Sequence, residues 1–292
     1  MDALGILFAL LALLGWTFGD FFIQRGTRTV GNWKTLFYIG SLGGILLFPF
    51  VAGEIIPTLT HGPNALLFFL LLVVTLFAAL FEFQALKKGK IAIIEPVFAI
   101  ELPITVGLSL LFWNETITLT QGILIFTVFL GITLAVTIHH THLHYHRRVF
   151  EKGFVLAGVG AIGMALVNFL TGVGSQETSP LMTIWFLHTA LAVICIFYLA
   201  YRGELRSVSE DIRRHGKTIL AFSAFDNIAW ISFAFSVRYI PISIATTVSE
   251  SYIALAVLLG IFVNREKLKT HQLIGIALAV IGVIALSTTT GK

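Results

Sequence analysis

Charge is what this chain of 292 residues has least of. Asp, Glu, Lys and Arg make up 12% of it, against about 25% in an average soluble domain. So few charges cannot cover a water-facing surface. Disorder is excluded on the same ground, because disordered chains are polar and highly charged. Cysteine is nearly absent: Cys195 stands alone, which excludes a secreted scaffold held by disulfides. The basic excess is small, a net charge of +4. The 19 Lys and Arg lie in short connectors between apolar runs, not in one patch, which argues against a nucleic-acid partner. What the chain has in abundance is apolar sequence, 57% of its residues.

A helix needs roughly 20 apolar residues to cross a bilayer. Ten such runs are present: 3–24, 35–53, 64–86, 91–113, 119–138, 153–173, 181–201, 218–237, 242–263 and 271–288, none with Lys or Arg. The expected fold is an all-α membrane protein of ten transmembrane helices. A β-barrel is excluded because these runs do not alternate in character. The start, Met1-Asp2, lacks the basic region of a signal peptide, so the first run is expected to be retained. Seventeen of the 19 basic residues fall in connectors 1–2, 3–4, 5–6, 7–8 and 9–10, leaving Arg238 and Lys292 on the other side. The positive-inside rule then puts both termini outside the cytoplasm of a multi-pass cell-membrane protein.

The two halves of the chain match at an offset of 151 residues, with identities Glu115/Glu266, Gln121/Gln272, Ile123/Ile274, Ile125/Ile276 and Gly131/Gly282. Upstream, Ile91-Ala92-Ile93 falls on Ile242-Ser243-Ile244. Residues 1–138 and 153–292 read as two five-helix repeats joined by a connector, 139–152. An odd number of spans turns the second repeat upside down, an arrangement typical of secondary transporters.

The repeat resembles the EamA unit of the drug/metabolite transporter superfamily. The likeness rests on Leu13-Leu14-Gly15-Trp16, Ala85-Leu86, Pro103, Glu115-Thr116-Ile117-Thr118, Gln121 and Gly131 in the first half. In the second it rests on Glu266-Lys267-Leu268, Gln272, Gly275 and Gly282. The resemblance covers nearly the whole chain. It implies a cavity lined by spans 1, 3, 4, 6, 8 and 9, and says little of the substrate. Two features depart from the pattern: span 9 has no proline, and connectors 54–63 and 174–180, basic in many relatives, hold no Lys or Arg.

Six carboxyl groups lie inside apolar runs: Asp20, Glu82, Glu95, Glu101, Asp226 and Glu250. A charged acid at a helix centre costs roughly 2.5–3.5 kcal/mol on insertion scales, which marks it as functional. All six fall on spans of the implied cavity set. Asp20, Glu82 and Glu95 have Arg25, Lys87 and Lys90 nearby, so an interfacial role stands level with a functional one for these three. Glu101, Asp226 and Glu250 have no basic residue within a turn and are the stronger candidates, against a purely structural role between helices. Carboxyl groups taken out of water hold protons more readily. Such acids are candidates for proton coupling, for binding a cationic group, or for both in competition.

Helical spacing places further polar residues beside them. Ser243, Thr246, Thr247 and Glu250 form one stripe, and Ser223, Asp226, Asn227 and Trp230 another. Glu101 aligns with Thr105 and Ser109, Trp16 with Asp20 and Gln24, and Asn168 with Thr171. Such stripes must face protein or water. Trp16, Trp230 and Tyr252 could stack on a cation. Tyr252 is also the repeat counterpart of Glu101. Pro96 and Pro103 are expected to loosen span 4.

Gly158, Gly160 and Gly163 match a dinucleotide-binding pattern, but inside an apolar run with no preceding strand they read as a packing face. Gly15/Gly19 and Gly40/Gly44 have the same meaning. His188 is alone in span 7 and reads as a satisfied buried histidine. His139, His140, His142, His144 and His146 crowd the connector between the halves. They suit either a metal ion or a solvated linker near anionic lipid.

The expected function is secondary transport of a small organic solute, by preference a cationic or zwitterionic metabolite such as an amino acid or amine. Protons are the candidate coupling ion and a homodimer the candidate assembly. The site residues are Glu101, Asp226, Glu250, Asn227, Trp230, Tyr252, Asp20, Trp16 and Asn168. No catalytic arrangement or cofactor motif is present, so an enzyme is not expected. The alternative is a divalent-metal transporter that uses the same acids and the histidine tract.

Overall fold

The structure, a computed structural model, describes residues 2–88, 97–136, 147–256 and 269–289. Glu95, Pro96, the histidine tract 139–146 and Glu266 lie outside the described residues. The described residues form helices α1 (Asp2–Thr29), α2 (Asn32–Val51), α3 (Ile55–Thr60), α4 (Gly62–Lys88), α5 (Glu101–Phe112) and α6 (Leu119–Val136). The second half holds α7 (Arg147–Glu177), α8 (Pro180–Tyr201), α9 (Leu205–Tyr239), α10 (Ile242–Glu250) and α11 (Thr270–Thr289). No strand occurs among the described residues.

Eight of these helices are long and apolar enough to cross a membrane. The apolar runs 91–113 and 242–263 hold shorter helices, so among the described residues ten full crossings reduce to eight and two shorter pieces. Large apolar side chains such as Ile45, Phe69, Phe77 and Ile281 point outward, as a lipid-facing surface requires.

Packing follows an exchange of the two halves. Each long or interrupted span of one half packs on one of the other: α1 on α9, α4 on α7, α2 on α8, α5 on α10 and α6 on α11. Swapping first-half helices for their second-half counterparts converts α1·α9 into α7·α4 and leaves the other three pairs unchanged. A two-fold relation between the halves has this consequence.

Small residues set these crossings. At α6·α11 a methyl added to Gly131 would overlap the Ala279 nitrogen and the Gly275 carbonyl. One added to Gly275 would overlap the Ala135 nitrogen and the Gly131 carbonyl. These are the repeat-motif glycines, and they let two backbones touch. Gly15 meets Ala229 across α1·α9, and Gly160 and Gly163 meet Glu82 and Ala78 across α4·α7.

The described identities of the connectors, Glu115, Gln121 and Gln272, are helix caps. Gln121 Oε1 accepts from the Thr118 N–H at 2.9 Å and Thr118 Oγ1 from the Gln121 N–H at 3.2 Å, a capping box on α6. Its counterpart Gln272 accepts from the Lys269 N–H at 3.1 Å at the start of α11. Glu115 caps across the fold: its two oxygens accept from the N–H groups of Ile242 and Ser243, opening α10. A carboxylate there satisfies orphan donors and complements the helix dipole. Glu115→Ala is expected to cost about 1–2 kcal/mol, with Glu115→Gln intermediate in thermal melting of the purified protein. Equal melting of all three would refute the cap.

The two ends of the bundle carry matched polar ties. At one, the Gln24 amide donates to Leu86 O at 3.2 Å, and Arg28 reaches the carbonyls of Leu86 and Lys87. At the other, Gln176 donates to Val237 O at 2.8 Å and Arg238 to Gln176 O at 2.7 Å. Leu86 and Val237 are repeat counterparts. A non-helical His215 (φ −126°, ψ 17°) divides α9. The piece before it is tied to α2 by the Lys34–Asp211 ion pair (2.7 Å) and by Tyr38 donating to Val208 O (3.0 Å).

Candidate functional site: a cavity of acids

Spans 4 and 9 are both interrupted, and at equivalent points. A turn at Ala99–Ile100 precedes Glu101 at the start of α5, and Ser251 separates Glu250, the end of α10, from the helical residues that begin at Tyr252. Under the 151-residue offset, position 100 falls on 251 and Glu101 on Tyr252. Pro103 thereby sits in the first turn of α5, where no backbone N–H is needed. Interrupted helices at a repeat interface are where transporters place their sites.

Residues at both breaks line one cavity, with about 60 Å³ for the centres of water-sized molecules. Asp20, Glu82, Glu101, Asp226 and Glu250 all line it, and all five are at most 8% exposed. Among the described residues, no Lys or Arg lines it. Asp20 and Glu82 thus line the same cavity as the other three. On a helix, five residues turn the chain by about 140°, so Arg25 and Lys87 leave the acid-bearing face.

The acids form a connected group. The Tyr252 hydroxyl donates to the Asp20 carboxyl, and Asp20 lies within electrostatic reach of Asp226 and Glu250. The Trp230 indole N–H donates to Asp226. Asn168 Nδ2 donates to Glu250 Oε1 at 2.9 Å. Asp20 Oδ2 and Glu250 Oε2 are buried with no hydrogen-bond partner among the described residues. Trp16 packs edge-on to Trp230 (centroids 5.2 Å, 80°) and tilts against Tyr252 (5.9 Å, 53°). These three rings form an aromatic wall beside the carboxyl groups.

Eight of the nine expected site residues therefore line the cavity: Trp16, Asp20, Glu101, Asn168, Asp226, Trp230, Glu250 and Tyr252. Asn227 does not. Its amide bonds Ile39 O, Ser223 O and His188. The polar stripes reach the cavity only in part: Thr105 donates to Ala165 O, Thr247 to Ser243 O and Gln24 to Leu86 O. Two helices outside the expected set also contribute, α2 through Leu36, Ile39 and Gly40 and α8 through Leu187, His188 and Leu191. His188 has no polar neighbour along its own helix face, and periodicity could not have singled it out.

The arrangement can hold a small positively charged group between carboxyl oxygens and aromatic faces. Among the described residues no group of three or more His, Cys, Asp or Glu is set to hold a metal ion.

Comparison with known proteins fits this architecture. A family model described as the EamA-like transporter family matches residues 3–137 and again 151–288. A protein of Methanocaldococcus jannaschii described as uncharacterized is 44% identical over 62 residues, 21% of this chain. The chain spans 45% of that relative's length. A protein of known crystal structure aligns at a TM-score of 0.71 and 15% identity over 99% of each chain, a likeness of fold alone. The two matched segments take in nearly the whole sequence, and the chain, with its several membrane-crossing helices, belongs to the EamA-like transporter family.

Proposed function

We propose that this transporter moves a small organic cation or zwitterion bearing an amine, and that protons compete with it for the same acids. One observation carries the reading: among the described residues, five buried carboxyl groups and no basic residue line a single cavity. Five ionised acids in so small a space repel one another strongly. Protons or a bound cation must supply the balance, and an anionic substrate would worsen the repulsion. The halves, inverted with respect to each other, rock about Glu101, Asp226 and Glu250 near the midplane. Both termini lie outside the cytoplasm, because Arg28, Lys34, Lys87, Lys88 and the basic residues of 202–217 gather at the opposite end.

The test is a thermal-shift panel on the purified protein with amino acids, polyamines, aromatic amines and zinc. An amine is expected to raise the melting temperature, and Asp226→Asn or Glu250→Gln to remove the effect. Stabilisation by zinc alone, or by an amine equally in both variants, would reject the reading.

A further inference from the structure

The fold fixes the orientation of one cavity residue, His188, through a neighbouring amide. Its Nδ1 lies 2.9 Å from Asn227 Oδ1. Asn227 Nδ2 donates to Ile39 O at 3.0 Å and to Ser223 O at 2.8 Å. Turning the amide round would set its oxygen against two carbonyls, so Oδ1 faces the ring and can only accept. Nδ1 therefore carries a hydrogen. A charged imidazolium would need an acceptor at Nε2 as well, and Nε2 has no partner among the described residues. The ring is the neutral tautomer, with a lone pair on Nε2.

Three helices build this geometry. A Cβ at Gly43 of α2 would overlap both Asn227 Oδ1 of α9 and His188 Nδ1 of α8. Asn227 stands outside the cavity lining and His188 inside it. The ring edge away from Asn227 is the edge left to the ligand.

We infer that His188 is a specificity-determining residue: its Nε2 accepts an N–H from an amine whose charge the carboxyl groups and aromatic wall balance. The inference rests on the cationic reading above and adds a selection to it. Acids beside Trp16, Trp230 and Tyr252 hold a fully methylated ammonium ion through charge and ring faces, losing only the N–H bonds that they themselves would accept. A fixed neutral acceptor adds to that loss, because a quaternary nitrogen has no hydrogen to offer and the buried lone pair stays unpaired.

The probe is n-butylamine with its N-methyl, N,N-dimethyl and N,N,N-trimethyl derivatives, which keep the charge while the N–H count falls from three to none. Affinity is read from tryptophan fluorescence of the purified full-length protein in lipid nanodiscs, since Trp16 and Trp230 line the cavity. The wild type is expected to bind the trimethyl compound at least about tenfold more weakly than butylamine, the scale of one hydrogen bond to a charged group. His188→Phe, which installs the residue found at the repeat counterpart Phe37, is expected to reduce that preference about tenfold. His188→Gln, whose amide keeps a donor nitrogen and an acceptor oxygen, is expected to keep it. The inference is overturned if His188→Phe retains the full preference, or if His188→Gln loses it as phenylalanine does. It is overturned without any variant if the wild type binds both ends of the series equally. Failure of the cationic reading looks different: no member of the series binds the wild type, or all bind Glu250→Gln unchanged.

Discussion

Adding one methyl group at Gly275 is expected to remove about 3 kcal/mol from the stability of the fold. The methyl would enter the Ala135 nitrogen and the Gly131 carbonyl, both backbone atoms that no rotamer change can move aside. The helices must part, and the contacts between α6 and α11 are lost along their length. Gly131→Ala should act similarly, since it meets Ala279 and Gly275 from the other side. The double variant should cost well under the sum, because one separation relieves both clashes. Gly107→Ala is the control. Nothing lies within 4 Å of a Cβ there, so alanine should be neutral or stabilising by up to about 1 kcal/mol. Melting of the four proteins in detergent decides it, and a Gly275→Ala protein that melts with the wild type would refute the contact.

Asn168→Leu is expected to destabilise by about 2–3 kcal/mol, because it leaves both oxygens of the buried Glu250 side chain without a donor. The same substitution made together with Glu250→Gln should cost about 1 kcal/mol less than the separate effects imply. Glutamine has its own donors and no charge to leave stranded. Additive losses in the four-protein cycle would show that the 2.9 Å contact carries no coupling.

Much of this was legible in the chain. Acids are rare in apolar runs, and every one of the five described lines the cavity. The matched Glu and Gln of the connectors marked the repeat, and Gln121 and Gln272 have equivalent capping roles. The partner of Glu115 was not legible, because the N-terminus of α10 is 127 positions away along the chain. Pro96 and Pro103 pointed to a loosened span 4, but the break in span 9, which has no proline, was hidden in an apolar run. Periodicity says which residues share a helix face. It does not say which of them a neighbouring carbonyl takes first, and so it set Asn227 among the ligands. His188 escaped for the converse reason: its meaning comes from Asn227 and Gly43 on two other helices.

The cavity is two-fold in backbone and one-sided in chemistry. Glu101 stands opposite Tyr252, Asp226 opposite Thr75, Glu250 opposite Ala99, Asp20 opposite Thr171 and Glu82 opposite Phe233. A solute arriving from one end therefore meets these groups in a different order from one arriving at the other. Such handedness makes the inward and outward half-turns unequal in speed. It cannot make them unequal in outcome, because a carrier that binds one solute alone must stop when the solute's electrochemical potential is the same on both sides. Concentrating a solute beyond what the membrane potential sustains requires a second species whose own gradient is drained in the same cycle. On the reading proposed above, a chamber walled by five acids offers that species carboxyl groups as a resting place.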